Sequence, residues 1–350
     1  MKKEIKISII IAVYQRQEEL TELLQSLGNQ TFRDFEIIVV DDGSPQKLQS
    51  VVDNFSSQLN LKYFYKENSG PAQSRNFGMK HATGNYFIFL DSDTIAPKDY
   101  LQTVFEELNS HYVDAFGGPD AADENFSDLQ KAISFSMTSF LTTGGIRGGK
   151  KHVGKFQPRS FNMGISKEAF EKTGGFGELR IGEDPDLSMT LWGNGFETRL
   201  FPEAKVFHKR RTSLKKFAKQ VYQFGVARPI LNQRHPQYNK LTFWFPSLFL
   251  GYFSVCVLGI LYAFLSPLFW DESNSNMLFA AILNFPLFVY FFLILIFSFI
   301  QFNSFKISVL SLVSSIVQFI FYGFGFMKSW ICLNVFKLNP KKIFPNHFSS

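Results

Sequence analysis

Two aspartates one residue apart, Asp91 and Asp93, follow the apolar run YFIFL, and a second pair, Asp41 and Asp42, follows FEIIVV. Carboxylates spaced like Asp91 and Asp93 at a strand end can hold a hard divalent cation, which then bridges diphosphate oxygens. Asp pairs also shape turns, and Asp41 and Asp42 precede Gly43. A third acidic cluster, Glu183 and Asp184 in GEDPD, opens a helical pattern. Asp184 before Pro185 reads as an N-cap with proline at the first helical position, and a helix N-terminus favours a carboxylate anion. No GxGxxG follows the first apolar run and no GxxxxGK[ST] occurs, which disfavours a nicotinamide-binding fold and a P-loop nucleotidase. No Ser/His/Asp or Cys/His arrangement suggests a covalent intermediate. Cys256 and Cys332 sit in apolar surroundings, without zinc-ligand spacing and too few for a disulfide framework.

The elements that must hold these carboxylates alternate along the first 240 residues. IKISIIIAV (5–13), FEIIVV (35–40), LKYFY (61–65) and YFIFL (86–90) are β-rich and almost uniformly apolar, as central parallel strands are. Leu20, Leu23, Leu24 and Leu27 recur at helical spacing, a weaker helix is expected near 46–57, and another follows NSGP. Strand–helix alternation predicts a doubly wound α/β sheet, in which ligands bind beyond the carboxyl ends of the strands. Tyr14, Asp41, Asp42, Asp91 and Asp93 all fall there. GGPD (117–120) is expected to end a fifth strand, with Asp120 facing sugar or acceptor or simply in a turn. The start, MKKEIKISIIIAVY, reads as a buried strand rather than a cleaved leader, because charges interrupt it and no small-residue cleavage site follows.

Composition changes sharply near residue 240. Residues 243–327 carry only three charged side chains, Asp271, Glu272 and Lys306, and are dense in the chain's 43 phenylalanines. Three apolar runs each reach the ~20 residues that cross a bilayer as a helix, with spans expected near 246–270, 277–300 and 307–327 of a membrane domain at 243–335, followed by a tail at 336–350. Basic residues from Lys209 to Lys240 precede the first run and the acidic DESNSN follows it, so the N-terminal part is expected on the cytoplasmic side. Three crossings would then put Lys328, Lys337, Lys341 and Lys342 outside, against the same rule, unless one run is re-entrant or interfacial. The stretch 209–240 reads as a basic interfacial helix and linker, with Leu214, Phe217, Val221 and Phe224 at helical spacing. A net charge of +6 does not by itself argue for nucleic acid.

ISIIIAVYQRQEELTELLQSLGNQTFRDFEIIVVDDGS, then SGPAQSRNFGMKHATGNYFIFLDSDT, FNMGISKEAFEKTGGFGE and GEDPDLSMTLWGNGFETRLFPEAKVFH, resemble in that order the inverting glycosyltransferase family 2 with the GT-A fold. The resemblance covers roughly residues 5–225, within an expected GT-A domain at 1–225. It implies a Rossmann-like nucleotide-sugar-binding domain with a mixed, mostly parallel sheet, here followed by transmembrane helices. It implies that Ala12, Val13 and Tyr14 line the donor base, that Asp42 hydrogen-bonds it with Asp41 nearby, and that Arg75 sits near the nucleotide. Asp91 would contact ribose or the metal's water shell, with Ser92 beside it, and Asp93 would be the direct ligand of Mn²⁺ or Mg²⁺. Asp184 would be the general base, with Glu183 as the other choice or an orienter of the acceptor. His208 would supply a further metal or diphosphate contact. Asn162 would lie below the donor sugar, and Gly175 and Phe176 would frame the acceptor. The Gly-rich basic stretch 142–159 is either a surface loop or a lid.

The resemblance therefore implies a metal-dependent, single-displacement transferase that takes a nucleotide-diphosphate sugar, by default a uridine diphosphate sugar. Processive members carry Q-x-x-R-W where this chain has QVYQF, so single-sugar transfer is expected. Membrane anchoring makes a lipid-linked or envelope saccharide the expected acceptor, on the cytoplasmic face of a multi-pass cell-membrane protein. The alternatives are transfer to polyprenyl phosphate itself and a non-catalytic membrane-bound assembly subunit.

Overall fold

The computed structural model describes residues 4–121, 126–143, 155–208, 213–266 and 273–349. They divide into two compact units: Met1–Glu124, His152–Lys209 and Pro340–Ser350 form one, and Asn125–Lys151 with Arg210–Asn339 the other. Strands β1 (Ile7–Val13), β2 (Phe35–Asp41), β3 (Leu61–Tyr65) and β4 (Tyr86–Leu90) stand where the apolar runs predict them. β5 (Thr94–Ile95), β6 (Ala115–Gly117), β7 (Asp120–Ala121), β8 (Asn162–Ser166), β9 (Thr198–Leu200) and β10 (Val206–His208) follow. The main sheet has the order β3-β2-β1-β4-β8-β6-β9; β8 runs antiparallel to both neighbours and every other pairing is parallel. A small second sheet orders β5-β10-β7, so GGPD leads from one sheet into the other instead of ending a single strand.

The uniform apolarity of β1 and β2 has a simple cause: both faces of the sheet are covered. Ile7, Ile9, Ile11, Ile37 and Val39 pack on one face with Leu20, Leu23, Leu24 and Leu27 of α1 (Gln17–Gly28). Ile10, Ile38 and Val40 pack on the other with Ala72 and Met79. These belong to α3 (Pro71–His81), which follows the short α2 (Gln49–Asp53). Alternate side chains along a strand point to opposite faces, so a doubly covered strand needs apolar residues at every position. α4 (Tyr100–Ser110) also covers the first face. The short α13 (Pro340–Ile343), near the C-terminus, also belongs to this unit.

The second unit contains α5 (Asp128–Thr138) and α6 (Phe140–Thr143). After α7 (Lys167–Thr173) and α8 (Glu183–Gly193) of the first unit, it resumes with α9 (Leu214–Arg234), α10 (Phe245–Leu265), α11 (Ser273–Phe302) and α12 (Phe305–Trp330). α10 to α12 lie within the three helices long and apolar enough to cross a membrane among the described residues. α9 and α12 approach closely because glycines meet: a Cβ on Gly225 would stand 2.2 Å from the Tyr322 carbonyl, and one on Gly325 2.3 Å from the Tyr222 carbonyl. Small residues at such contacts let helix backbones touch without water to drive them. Two boundaries differ from expectation. α5, expected within the catalytic domain, buries Ile133 and Met137 against Phe217 and Val221 of α9. The end of the tail, Pro340–Ser350, joins the first unit, where Leu179 and Phe348 form an antiparallel bridge.

Candidate active site

The carboxyl ends of β1, β2 and β4 and the N-termini of α3 and α8 supply the site. Arg75 organises it. Its side chain is 5% exposed, donates from Nη2 to Asp91 at 2.7 Å and from Nη1 to Glu183 at 2.6 Å, and lies over the Phe176 ring at 5.3 Å. Burial works against the guanidinium charge, but Glu183, Asp91 and Asp184 outweigh it and hold Arg75 protonated. One cation thus joins a turn near residue 91 to a helix start more than ninety residues later.

α8 begins after Gly182, whose φ of 90° is left-handed and favours glycine. Gly182 is therefore the cap, and Asp184 stands inside the first turn rather than at the N-cap expected from Pro185. Glu183, Asp184 and Asp186 crowd that first turn. Burial raises Glu183 to about 7, opposed by Arg75 and reinforced by the neighbouring Asp184 charge. Burial also raises Asp184, opposed by Arg75 and by hydrogen bonds from Ser160. Glu183 Oε2 and Asp184 Oδ1 are buried and have no hydrogen-bond partner among the described residues. Buried polar atoms are nearly always paired, so two orphan carboxylate oxygens side by side mark a place where something else must bind or react.

Asp93 is ion-paired to Arg16, a residue not singled out from the sequence. Its signal was its place: Arg16 follows directly beyond the carboxyl end of β1. Ser160 was missed too, since nothing in its local sequence points to Asp184. Among the described residues no group of three or more His, Cys, Asp or Glu is assembled to hold a metal. The donor set nevertheless fits one. Asp91, Asp93, Glu183 and Asp184 have Arg16 and Arg75 as cationic partners, and all are hard oxygen donors of the kind that suit Mg²⁺ or Mn²⁺. The backbone of β10 sets His208 opposite Thr94, one residue beyond Asp93. The side chains of His208 and Asp120, and most of the 142–159 stretch (residues 144–154), lie outside the described residues.

Other expected site residues have internal duties. Asp41 is fully buried and accepts from the Ser44 and Leu48 amides and the Tyr63 hydroxyl. Asp42 accepts from the Ser69 and Gly70 amides and from Lys66. Both carboxylates brace the turns that follow β2, Asp42 with three donors from its own chain. Asn162 accepts from the Tyr100 hydroxyl and donates to the Ala204 carbonyl, with no exposure, so it ties β8 to α4 and to the segment before β10. Gly175 has φ 78°, and a Cβ there would stand 2.4 Å from Asn76 Oδ1. Asn76 holds Phe176 by both its backbone amide and its carbonyl, so Phe176 is a buried floor under Arg75. Ala12 and Val13 end β1, Tyr14 is exposed beyond it, and Ser92 is buried between the two aspartates.

Residues 8–174 match glycosyl transferase family 2. An uncharacterized glycosyltransferase of Rickettsia conorii is 42% identical over 107 residues, which is 30% of this chain and 18% of that protein. The GalNAc(5)-diNAcBac-PP-undecaprenol beta-1,3-glucosyltransferase of Campylobacter jejuni is 29% identical over 212 residues, 58% of this chain and 63% of that one. The chain thus spans under a fifth of the first relative's length and under two thirds of the second's. The mannosyltransferase PcManGT of Pyrobaculum calidifontis, solved with GDP-Man and Mn²⁺, shares the fold at a TM-score of 0.57 and 14% identity over 97% of this chain and 89% of that one. The family match spans β1 to α7, including every carboxylate turn beyond the main sheet except the start of α8, so residues 8–174 carry a glycosyltransferase family 2 domain.

Proposed function

We propose that the protein transfers a sugar, with inversion and one residue at a time, from a nucleoside diphosphate sugar to a hydroxyl of a lipid-linked saccharide at a membrane surface. The observation that carries this reading is the buried Asp184 carboxylate, one oxygen without a partner among the described residues, beside the Arg75 clamp that ties its neighbour Glu183 to Asp91 at the end of β4. A general base needs a free oxygen and a pKa drawn toward the working pH, and Asp184 has both. Glu183 is already engaged by Arg75, so it orients the turn while Asp184 takes the acceptor proton. Attack from the face opposite the leaving group needs no enzyme nucleophile, and positioning supplies much of the rate.

A divalent cation held by Asp93, with Asp91 beside it, would neutralise charge on the leaving diphosphate. Arg16 must give up Asp93 for that. The nucleotide would lie along the carboxyl ends of β1 and β2, by Ala12, Val13 and Tyr14, over turns that Asp41 and Asp42 hold rigid. The acceptor class follows from the apolar helices, which keep the site at a bilayer, and from the lipid-linked substrate in the Campylobacter relative's name. The basic residues before and after those helices favour the cytoplasmic face, where nucleotide sugars are made.

The test is a panel of nucleotide sugars offered to the full-length, detergent-solubilised protein with Mn²⁺ or Mg²⁺, following nucleoside diphosphate release. One donor should turn over, and Asp184→Asn should lower that rate by about 10²-fold or more while nucleotide still binds. Undiminished turnover in Asp184→Asn would remove it as the base. A product whose sugar sits directly on polyprenyl phosphate would replace the saccharide acceptor by the lipid phosphate.

A further inference from the structure

Each end of α12 meets a chain segment that continues into the first unit without an apolar run long enough to span a bilayer. At its start, Lys306 pairs with Asp128 at 2.8 Å. Asp128 opens α5, which lies in an excursion of the chain that leaves the catalytic unit after Glu124 and rejoins it at His152. That excursion has no apolar run long enough to span a bilayer, so Asp128 is on the catalytic side. Two further contacts repeat the pairing: Phe135 against Phe302, and Gln318 donating to the Thr142 carbonyl.

Beyond the other end of α12, the tail is part of the catalytic unit. Arg180 donates its amide to the His347 carbonyl at 2.8 Å, Ser349 donates to the Glu178 carbonyl at 2.7 Å, and Lys341 pairs with Glu178. A 26-residue helix is about 39 Å long. It cannot begin and end on one side and also cross.

We propose that α10 and α11 cross the bilayer as a hairpin and that α12 lies in the membrane plane on the catalytic side. The reading rests on the membrane placement proposed above, not on the reaction. The chain from Leu241 to Asn303 starts and finishes on the catalytic side, so it crosses an even number of times. α10 and the first half of α11 pair antiparallel, as a hairpin requires: Tyr252 donates to the Leu283 carbonyl at 2.6 Å, and Asn276 to Ser266 at 3.0 Å.

α12 has the two faces an in-plane helix needs. Phe305, Val309, Val313, Phe321 and Phe324 are exposed along one arc, where acyl chains can cover them. Ser308, Ser311, Ser314, Ser315, Gly325 and Ser329 are buried along the opposite arc. It runs beside α9, whose Lys215, Lys216 and Lys219 are exposed and belong at headgroup depth rather than in hydrocarbon. Of the three apolar helices, its most apolar window is 39% buried against 17% for each of the others. Lys306, Lys328, Lys337, Lys341 and Lys342 then all stand on the catalytic side, which removes the conflict that three crossings create with the positive-inside rule.

Single cysteines decide it. In a full-length chain carrying Cys256→Ala and Cys332→Ala, the positions are Gln49→Cys, Ser275→Cys, Gln301→Cys and Lys342→Cys, all exposed. Each is labelled with a membrane-impermeant maleimide in right-side-out and inside-out vesicles, and variants that keep nucleotide binding are scored. Gln49, Gln301 and Lys342 should label in one vesicle orientation and Ser275 in the other, with about a tenfold or greater contrast. Lys342 labelling opposite to Gln49 would mean three crossings and overturn the proposal. Ser275 labelling with Gln49 would mean a hairpin that does not cross, and would overturn it too. Release of the protein from vesicles by carbonate would overturn it together with the membrane reading, while leaving the transfer reaction standing.

Discussion

Arg75 is one buried cation against Asp91, Glu183 and Asp184, and that imbalance makes the site both reactive and costly. Removing the cation leaves three carboxylates without a counterion, so Arg75→Met should destabilise the fold by about 3–5 kcal/mol and lower the melting temperature at neutral pH. Glu183→Gln should act the other way. Its folded pKa is raised from 4.5 to about 7, so the protonated form favours the fold. That contribution is complete below pH 4.5 and is lost as pH rises through about 7. At pH 8 the ionised carboxylate is a cost that the amide lacks. Thermal melts of the full chain should therefore show Glu183→Gln gaining on the parent between pH 5 and pH 8. A gap that does not change with pH would count against the raised pKa. For turnover, the same two carboxyls titrate as a pair, and the rate should climb with pH toward neutrality as the base loses its proton.

At the level of elements, strands were legible wherever burial on both faces demanded unbroken apolar residues. Leu61–Tyr65 and Tyr86–Leu90 stand at the expected bounds. Short elements were not legible. FETRLFPEAKVF reads as one strand yet supplies β9 to one sheet and β10 to the other, because Phe201 and Ala204 are buried at the corner between them. Carboxylates at strand ends were legible as positions but not as roles. Spacing cannot tell a carboxylate aimed at a ligand from one, like Asp41 or Asp42, that its own following turn consumes. Long-range partners were invisible for the same reason: Arg16 with Asp93 and Asn76 with Phe176 are set by tertiary packing. The tail is the clearest case. It pairs with residues 178–180, just ahead of Gly182 and the two carboxylates of α8. Deleting Pro345–Ser350 should loosen that turn and lower kcat by roughly tenfold, while nucleotide affinity stays within about twofold. Calorimetric titration beside steady-state turnover separates the two; an equal loss in both would mean general unfolding rather than misplacement of the base.

The whole molecule comprises two compact units, and their stabilities should be separable. The first is pinned by Glu36, which accepts from Ser8, Lys62, Thr83 and Gly84 and so links β1, β2, β3 and the entry to β4. Burial opposes its charge, but these donors prevail and hold its pKa near 2. Its contribution is present above pH 4.5 and is lost as pH falls toward 2. The second unit is held by close helix contacts, where Gly225 leaves no room for a side chain against the Tyr322 carbonyl. Two compact units with separate cores need not melt as one. Calorimetry of the full chain in detergent should resolve two transitions. Glu36→Ala should lower only the first, by about 3 kcal/mol, because it leaves Lys62 and several amides without their acceptor. Gly225→Leu should lower only the second, by about 1–3 kcal/mol, through overpacking. If both substitutions shift one common transition, the units fold as a single cooperative body, and the apolar helices then contribute directly to the stability of the first unit.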